Sequence, residues 1–266
     1  MVNNMKIAMV ASGSKGNMCY IESEGTKILI DAGISCKRLT KFLDDNKIEG
    51  NFSGILITHE HTDHISGLLQ ITKKYKCPLY MTEGTRRGIR EKSNGISIID
   101  NNDIRIIGQR ESFEIGDIFV ESFPTFHDVY EPCCYKVTAQ NKSIVYITDT
   151  GYVPTAFYEL LSNASCYVME VNHDPELLMN SSRPYETRVR ILGDSGHLSN
   201  EDGLDLLSHI MGENTKVVFY AHISEECNLW NIIESESKRI YEGYNLDVSG
   251  IRFIYTNQLS TEVISL

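Results

Sequence analysis

The sequence predicts an α/β chain built from two mixed β-sheets with helices on their outer faces. Strand-like apolar runs crowd the first half, and in the second half such runs alternate with amphipathic helical segments. Several runs, KVVFY at 216–220 among them, are apolar with no alternation, as parallel strands covered on both faces are.

KIAMVA (6–11), MCYIES (18–23) and KILIDA (27–32) open the chain as strands, and the glycines of SGSKGN together with Gly25 supply the turns between them. A helix is expected near 36–45, then a short buried strand GILIT (54–58), ended by the polar run HEHTDH, and an amphipathic helix near 65–75. PLYMT (78–82), IRII (104–107), IFVESF (118–123), CYKVTA (134–139) and SIVYIT (143–148) read as further strands. Helices at 154–162, 185–192, 200–211 and 225–241 then alternate with YVMEV (167–171), KVVFY and IRFIY (251–255), before a strand-like tail. No break in composition divides the chain, so residues 1–266 are expected to form one domain.

Hydrophobic residues make up 41% and charged residues 23%, which excludes wholesale disorder. Lys and Arg number 25 against 36 Asp and Glu, a net charge of −11, so bulk charge does not grip nucleic acid and any such contact must be local or metal-assisted. Basic residues do cluster locally, at Lys37, Arg38 and Lys41, at Lys73, Lys74 and Lys76, at Arg86, Arg87 and Arg90, and at Arg183, Arg188 and Arg190. Each cluster also has the plain reading of a solvated helix face. No apolar run approaches the ~20 residues of a membrane span, and the opening residues MVNNMKIAMVAS run straight into a strand pattern without the features of a secretory signal. The seven cysteines are irregularly spaced with no C-x-x-C, which points away from a disulfide framework and toward the reducing cytoplasm.

The chemistry concentrates at His59-Glu60-His61-Thr62-Asp63-His64, where three of the eight histidines fall within six residues. In an extended segment residues two apart point the same way, so His59 and His61 can serve one ion. Asp63 and His64 follow where the chain turns toward a helix and can reach a second. Imidazole and carboxylate suit borderline divalent metals, zinc first, with manganese and iron as alternatives. Paired ions about 3.5–4 Å apart clamp a substrate for hydrolysis at phosphorus or carbonyl. One short run cannot fill two shells, and His127 (FPTFHD), Asp149 (ITDTG) and His222 (YAHIS) each stand where a buried strand delivers a polar residue to a sheet rim. Taken alone, each of the three also has an ordinary structural reading, a turn cap ahead of GYVP in the case of Asp149. In SGSKGN, Ser14, Lys15 and Asn17 could contact a phosphate through an N–H nest, though a plain hairpin turn fits equally. His173, in NHDP, could line the substrate side or share a helix start with Asp174.

HEHTDH followed in order by His127, Asp149 and His222 resembles the metallo-β-lactamase superfamily, and the resemblance covers nearly the whole chain. It implies an αββα sandwich. It also implies one ion on His59, His61 and His127, another on Asp63, His64 and His222, and Asp149 bridging. Asp31, in LIDAG, matches a family position that braces the histidine loop, although a turn residue before Gly33 is the plain alternative. His197 in GHLSN and Glu170 after the bridging Asp resemble the acid pair of the phosphodiesterase branch that includes RNase Z. SGSKGN, NHD and GHLSN together are most similar to the YycJ/WalJ family of bacterial cytoplasmic exonuclease-like proteins.

The resemblance therefore implies a metal-dependent phosphodiesterase, foremost a 5′→3′ DNA exonuclease acting on strand ends. A metal-activated hydroxide oriented by Asp63 would attack phosphorus, His197 would protonate the leaving group, and Glu170 would hold the imidazole. For Ser199 and Asn200 a helix start is the simpler reading. The alternatives are a small-molecule or cyclic-nucleotide phosphodiesterase and an RNase Z-like ribonuclease. Only 47 residues separate Asp149 from His197, which leaves no room for the large inserted domain of β-CASP nucleases.

Overall fold

The computed structural model of the chain describes residues 4–266; the first three residues of the opening segment lie outside the described residues. In chain order the elements begin with β1 (Lys6–Ala11), β2 (Met18–Ser23), β3 (Thr26–Ile30), α1 (Cys36–Asn46), β4 (Gly54–Leu56), α2 (Thr62–Ile65), α3 (Leu68–Tyr75) and β5 (Leu79–Met81). They continue with α4 (Glu83–Arg90), α5 (Gly95–Asp100), β6 (Ile104–Ile106), β7 (Ser112–Ile115), β8 (Ile118–Pro124), β9 (Cys133–Ala139) and β10 (Lys142–Ile147). The remainder comprises α6 (Tyr158–Leu161), β11 (Cys166–Glu170), α7 (Pro175–Met179), α8 (Tyr185–Leu192), α9 (Asn200–Ile210), β12 (Val217–Ala221), α10 (Trp230–Gly243), β13 (Arg252–Tyr255) and β14 (Ile264–Ser265). Two seven-stranded mixed sheets result, ordered β14-β1-β2-β3-β4-β5-β6 and β13-β12-β11-β10-β9-β8-β7.

By its contacts the chain divides into two compact units, one of residues 1–124, 129–142 and 258–266, the other of 125–128 and 143–257. In the first, β1, β2 and β3 pair antiparallel, then β3, β4, β5 and β6 run parallel. Its core is the apolar face shared by this sheet with α1, α3, α4 and α5, through Leu29, Leu39, Ile55, Leu68, Ile89 and Ile98. Ser35 caps α1 by accepting the Arg38 N–H at 3.3 Å, and Lys47 closes it in the left-handed region at φ 56°.

In the second unit β10, β11, β12 and β13 are all parallel. β11 and β12 are buried along their whole length, as their unbroken apolar runs require. Ser199 caps α9 by accepting the Asp202 N–H at 3.1 Å, and Asp174 caps α7 at Leu177, with Pro175 in the first turn where its missing N–H does no harm.

Register decides where the polar residues emerge. Ile30 of β3 sits opposite Leu56 of β4, so Asp31 and the segment from Thr58 to His64 leave one sheet edge together. Ile147 sits opposite Met169, and Glu170 opposite Ala221, so Asp149, Glu170 and His222 likewise leave one edge of the second unit. In parallel α/β sheets this carboxyl edge is where ligands bind.

The helix expected across 65–75 is broken at Ser66 and Gly67 into α2 and α3, which lets the chain turn between the metal run and the sheet. The helix expected from 225 begins at Trp230. α4, α5, α7 and β7 are additions to the expected elements. No described helix is long and apolar enough to cross a membrane. Six of the seven cysteines are buried and none forms a disulfide; burial pushes the Cys77 thiol up to about 11.

The fully buried Tyr167 ties strand to helices in the second unit: its hydroxyl lies 2.8 Å from the Leu161 carbonyl and 2.6 Å from that of Ile210, and accepts the Ala164 N–H at 3.0 Å. Tyr167→Phe should cost about 1–3 kcal/mol by leaving these groups unpaired, read as a lower urea midpoint at unchanged denaturant slope.

Candidate metal centre

In the first unit β4 gives way to an extended segment that ends at His61, the residue preceding α2, whose backbone is still extended at φ −65°, ψ 149°. The rings of His59 and His61 meet edge to face with centroids 4.8 Å apart, and one helical turn brings the His64 ring to 4.1 Å from that of His59. His59 is 1% exposed and His64 0%, so three imidazoles gather at one sheet edge, two of them buried.

Asp31 holds them there. It leaves β3 in the left-handed region at φ 63°, which turns its carboxylate back under the histidine run. Oδ1 accepts the Thr58 N–H at 2.9 Å, and Oδ2 lies 2.7 Å from His64 Nδ1. The Thr58 hydroxyl lies 3.0 Å from both carboxylate oxygens and 3.0 Å from His59 Nδ1. Burial pushes the Asp31 carboxyl up, opposed by His64 and Thr58. Asp31 is thus the brace that the resemblance implies: with Nδ1 engaged, His64 presents Nε2 for coordination.

The SGSKGN turn is the second support. Asn17 is fully buried; its Oδ1 accepts the Gly13 N–H at 2.8 Å, and its Nδ2 donates to Asp63 Oδ2 at 3.1 Å and lies 3.0 Å from His64 Nε2. Its own N–H donates to the Asp63 carbonyl at 2.7 Å. Gly33 makes this possible, since a Cβ there would fall 1.6 Å from the Asp63 carbonyl oxygen. The substrate contact expected of Asn17 is therefore replaced by an internal one, because its amide is spent on the turn and on Asp63. Ser14 and Lys15 remain exposed on the same turn.

In the second unit Asp149 and His222 leave their strands in the left-handed region, at φ 59° and 53°. Asp149 Oδ1 lies 3.5 Å from His222 Nε2 and 3.8 Å from His127 Nε2. His127 donates from Nδ1 to the Gly196 carbonyl at 2.9 Å, and burial holds its pKa below the usual imidazole value, favouring the neutral ligand form.

Glu170 ends β11 and is fully buried. Its Oε1 lies 2.8 Å from His197 Nδ1 and 3.0 Å from His222 Nδ1, while Oε2 accepts the N–H groups of Thr150 and Leu198 at 3.1 and 3.3 Å. Burial alone would raise this carboxyl; His197 and His222 outweigh it and hold it below the ordinary carboxylate range. Both imidazoles therefore direct Nε2 away from Glu170. The bond to His222 is additional to the expected pairing with His197. Donor atoms of Asp149, Glu170, His197 and His222 lie within 4.8 Å of one another.

His173 is 1% exposed with Nδ1 3.3 Å from Asn172 Oδ1, and burial lowers its pKa to about 4. It pairs with Ser199 in a single β-bridge, so its expected substrate contact gives way to holding the helix start. Asn172, which sequence reading passed over, donates to the His222 carbonyl at 2.7 Å. Asn200 and Asn228 join their amides at 2.7 and 3.0 Å, and Asn228 also donates to the carbonyls of Val171 and Asn172.

The donor set fits divalent metal. Nδ1 of His59, His64, His127 and His222 is engaged by Thr58, Asp31, Gly196 and Glu170, the arrangement by which ligand rings are fixed and Nε2 made available. All donors are nitrogen or oxygen.

Residues 26–223 match the family model described as a beta-lactamase superfamily domain. The chain belongs to the beta-lactamase superfamily. It is 39% identical over 225 residues to the exodeoxyribonuclease WalJ of Streptococcus pneumoniae, covering 84% of this chain and 83% of that protein. It is 36% identical over 239 residues to the exodeoxyribonuclease YycJ of Bacillus anthracis, covering 90% and 89%. Among solved structures, the metallo-β-lactamase fold protein YhfI of Bacillus subtilis matches 99% of this chain and 100% of its own with a TM-score of 0.70 at 13% identity. The human short-form tRNase Z matches 97% and 98% with a TM-score of 0.62 at 15% identity. These two likenesses establish the fold.

Asp31→Asn keeps size and tolerance of the left-handed backbone but removes the charge behind His64. It should weaken metal affinity roughly 10-fold or more in competition with a chromogenic chelator, with the circular dichroism spectrum retained. Unchanged affinity would remove Asp31 from the centre.

Proposed function

We propose that the chain is a metal-dependent phosphodiesterase, a 5′→3′ DNA exonuclease of the reducing cytoplasm. Two divalent ions, zinc foremost, are taken up by seven donors in the family's ligand order. His59, His61 and His127 serve one ion, Asp63, His64 and His222 the other, and Asp149 serves both. The family match runs continuously through residues of both units, which supports their working as one domain.

When bound, the ions supply Lewis acidity toward phosphoryl oxygens and bring the pKa of water toward ~7. The chain supplies the rest. Asp63, whose side chain is 21% exposed and anchored by Asn17, accepts a proton from the attacking water and orients it. His197, at 15% exposure, holds a proton on Nε2 for the leaving oxygen, because Glu170 fixes Nδ1–H and favours the protonated ring. The observation that carries this reading is Glu170, a buried carboxylate that holds both the proposed acid His197 and the proposed ligand His222 at Nδ1. DNA, rather than RNA or a small phosphodiester, is supported by the exodeoxyribonuclease relatives. The buried thiols and absence of disulfides support the cytoplasm.

With DNA and RNA strands labelled at either end, the protein should release mononucleotides from the 5′ end of DNA. Chelation should abolish this and added divalent metal restore it. Turnover of RNA or of a small chromogenic diester alone would shift the reading to those substrates. His197→Ala should lower kcat by about 10²–10⁴-fold with bound metal unchanged. Wild-type cleavage by a metal-loaded variant would remove His197 as the acid.

A further inference from the structure

The basic residues are not equivalent once their partners are known. On α4 every arginine of its cluster faces a carboxylate: Arg86 with Glu83, Arg87 with Glu91, Arg90 with Asp100. In the cluster around α8, Arg183 pairs with Glu226 and Arg190 with Asp128. The clusters on α1 and α3 behave differently. Lys41 is paired with Asp45, but Lys37, Lys73 and Lys76 carry no ion pair, Lys74 donates to the Thr40 hydroxyl, and Arg38 donates to the side chain and carbonyl of Gln258. In a chain of net charge −11, five cations left without a carboxylate on two adjoining helices form an exceptional surface.

These two helices flank a groove of about 540 Å³, bordered by Ser35, Lys37, Gln70, Lys73 and Lys74 and floored by Ser66 and Gly67; no carboxylate lines it. A neighbouring cleft of about 720 Å³ shares Lys73 and adds Lys76; its one carboxylate, Asp103, is held by Arg105. The floor follows directly on α2, the helix bearing Asp63 and His64, and the Ser66 hydroxyl donates to the Gly33 carbonyl at 2.8 Å. Arg38 is tied through Gln258 to the SGSKGN turn, since Gln258 Nε2 donates to the carbonyls of Ser12 and Gly16 at 3.0 Å each. The groove thus abuts both segments that carry or brace the metal donors of this unit. Its chemistry is ammonium groups, hydroxyls and an amide on a small-residue floor, which suits a run of phosphodiesters and reads no base.

We propose that the groove between α1 and α3 seats the phosphate backbone of a single DNA strand whose end is presented to the HEHTDH loop, with Lys37 and Lys73 as the principal phosphate contacts. This rests on the exonuclease reading above and adds to it where the uncut part of the strand lies.

The test is fluorescence anisotropy of a labelled, phosphorothioate-substituted single strand on the manganese-loaded protein across a salt series. Time-resolved cleavage of the unmodified strand is measured alongside. The double variant Lys37→Ala, Lys73→Ala should bind severalfold more weakly, with the slope of log affinity against log salt reduced by about 1. Lys37→Arg with Lys73→Arg should restore both. Arg86→Ala with Arg87→Ala removes the same charge from the paired cluster and should bind like wild type. If the lysine and arginine pairs reduce binding equally, only overall charge matters and the groove assignment is overturned. If wild type and the lysine variant bind and cleave alike, the groove is overturned while the exonuclease reading stands. If wild type binds the strand through these lysines but does not cut it, the groove stands and the exonuclease reading fails.

Discussion

Two buried carboxylates, Asp31 and Glu170, each hydrogen-bonded to the Nδ1 of an imidazole, are the constraint on which the site depends. An imidazole has two nitrogens, and a carboxylate behind one leaves the other as a donor of fixed direction and raised basicity. Burying a carboxylate in an apolar sheet is tolerated only because each is saturated. Asp31 takes the Thr58 N–H and hydroxyl, and Glu170 takes two backbone N–H groups and two histidines. Neither residue sits in a loop that could adapt. Asp31 follows β3 directly and Glu170 closes β11, so the precision of the rings derives from strands packed on both faces.

The distribution of charge follows a similar economy. Acidic residues exceed basic ones, yet most arginines are neutralised locally, as on α4, and the excess acid lies elsewhere than the groove beside α2. A protein of overall negative sign can in this way keep one face able to receive a polyanion.

The strands and the HEHTDH run were legible because burial on both faces forces unbroken apolar runs, and because three histidines within six residues have no ordinary structural use. Asp149 and His222 were legible as polar residues at the ends of such runs. α4 was not, because TEGTRRGIR has two glycines and three arginines, and its only strong start signal, the Thr82 cap, is a single side chain. The helix is stabilised by tertiary contact, which local pattern does not record. Asn17 and His173 were misjudged for a common reason: sequence identifies a polar side chain near a site but not which way it faces, and both turn inward. Glu170's second histidine was likewise invisible, since it depends on the register of β11 against β12.

The left-handed backbone at Asp31, Asp149 and His222 sets the chemistry of this chain against its durability. Glycine adopts that conformation without a steric penalty, whereas other residues give up of order 1 kcal/mol there. Drift toward a hardier molecule would thus tend to erase the very side chains that make it useful. Their persistence at three strand termini would mark selection for reactivity over endurance, and thermostabilised descendants of this scaffold should be sought by changes anywhere but these corners.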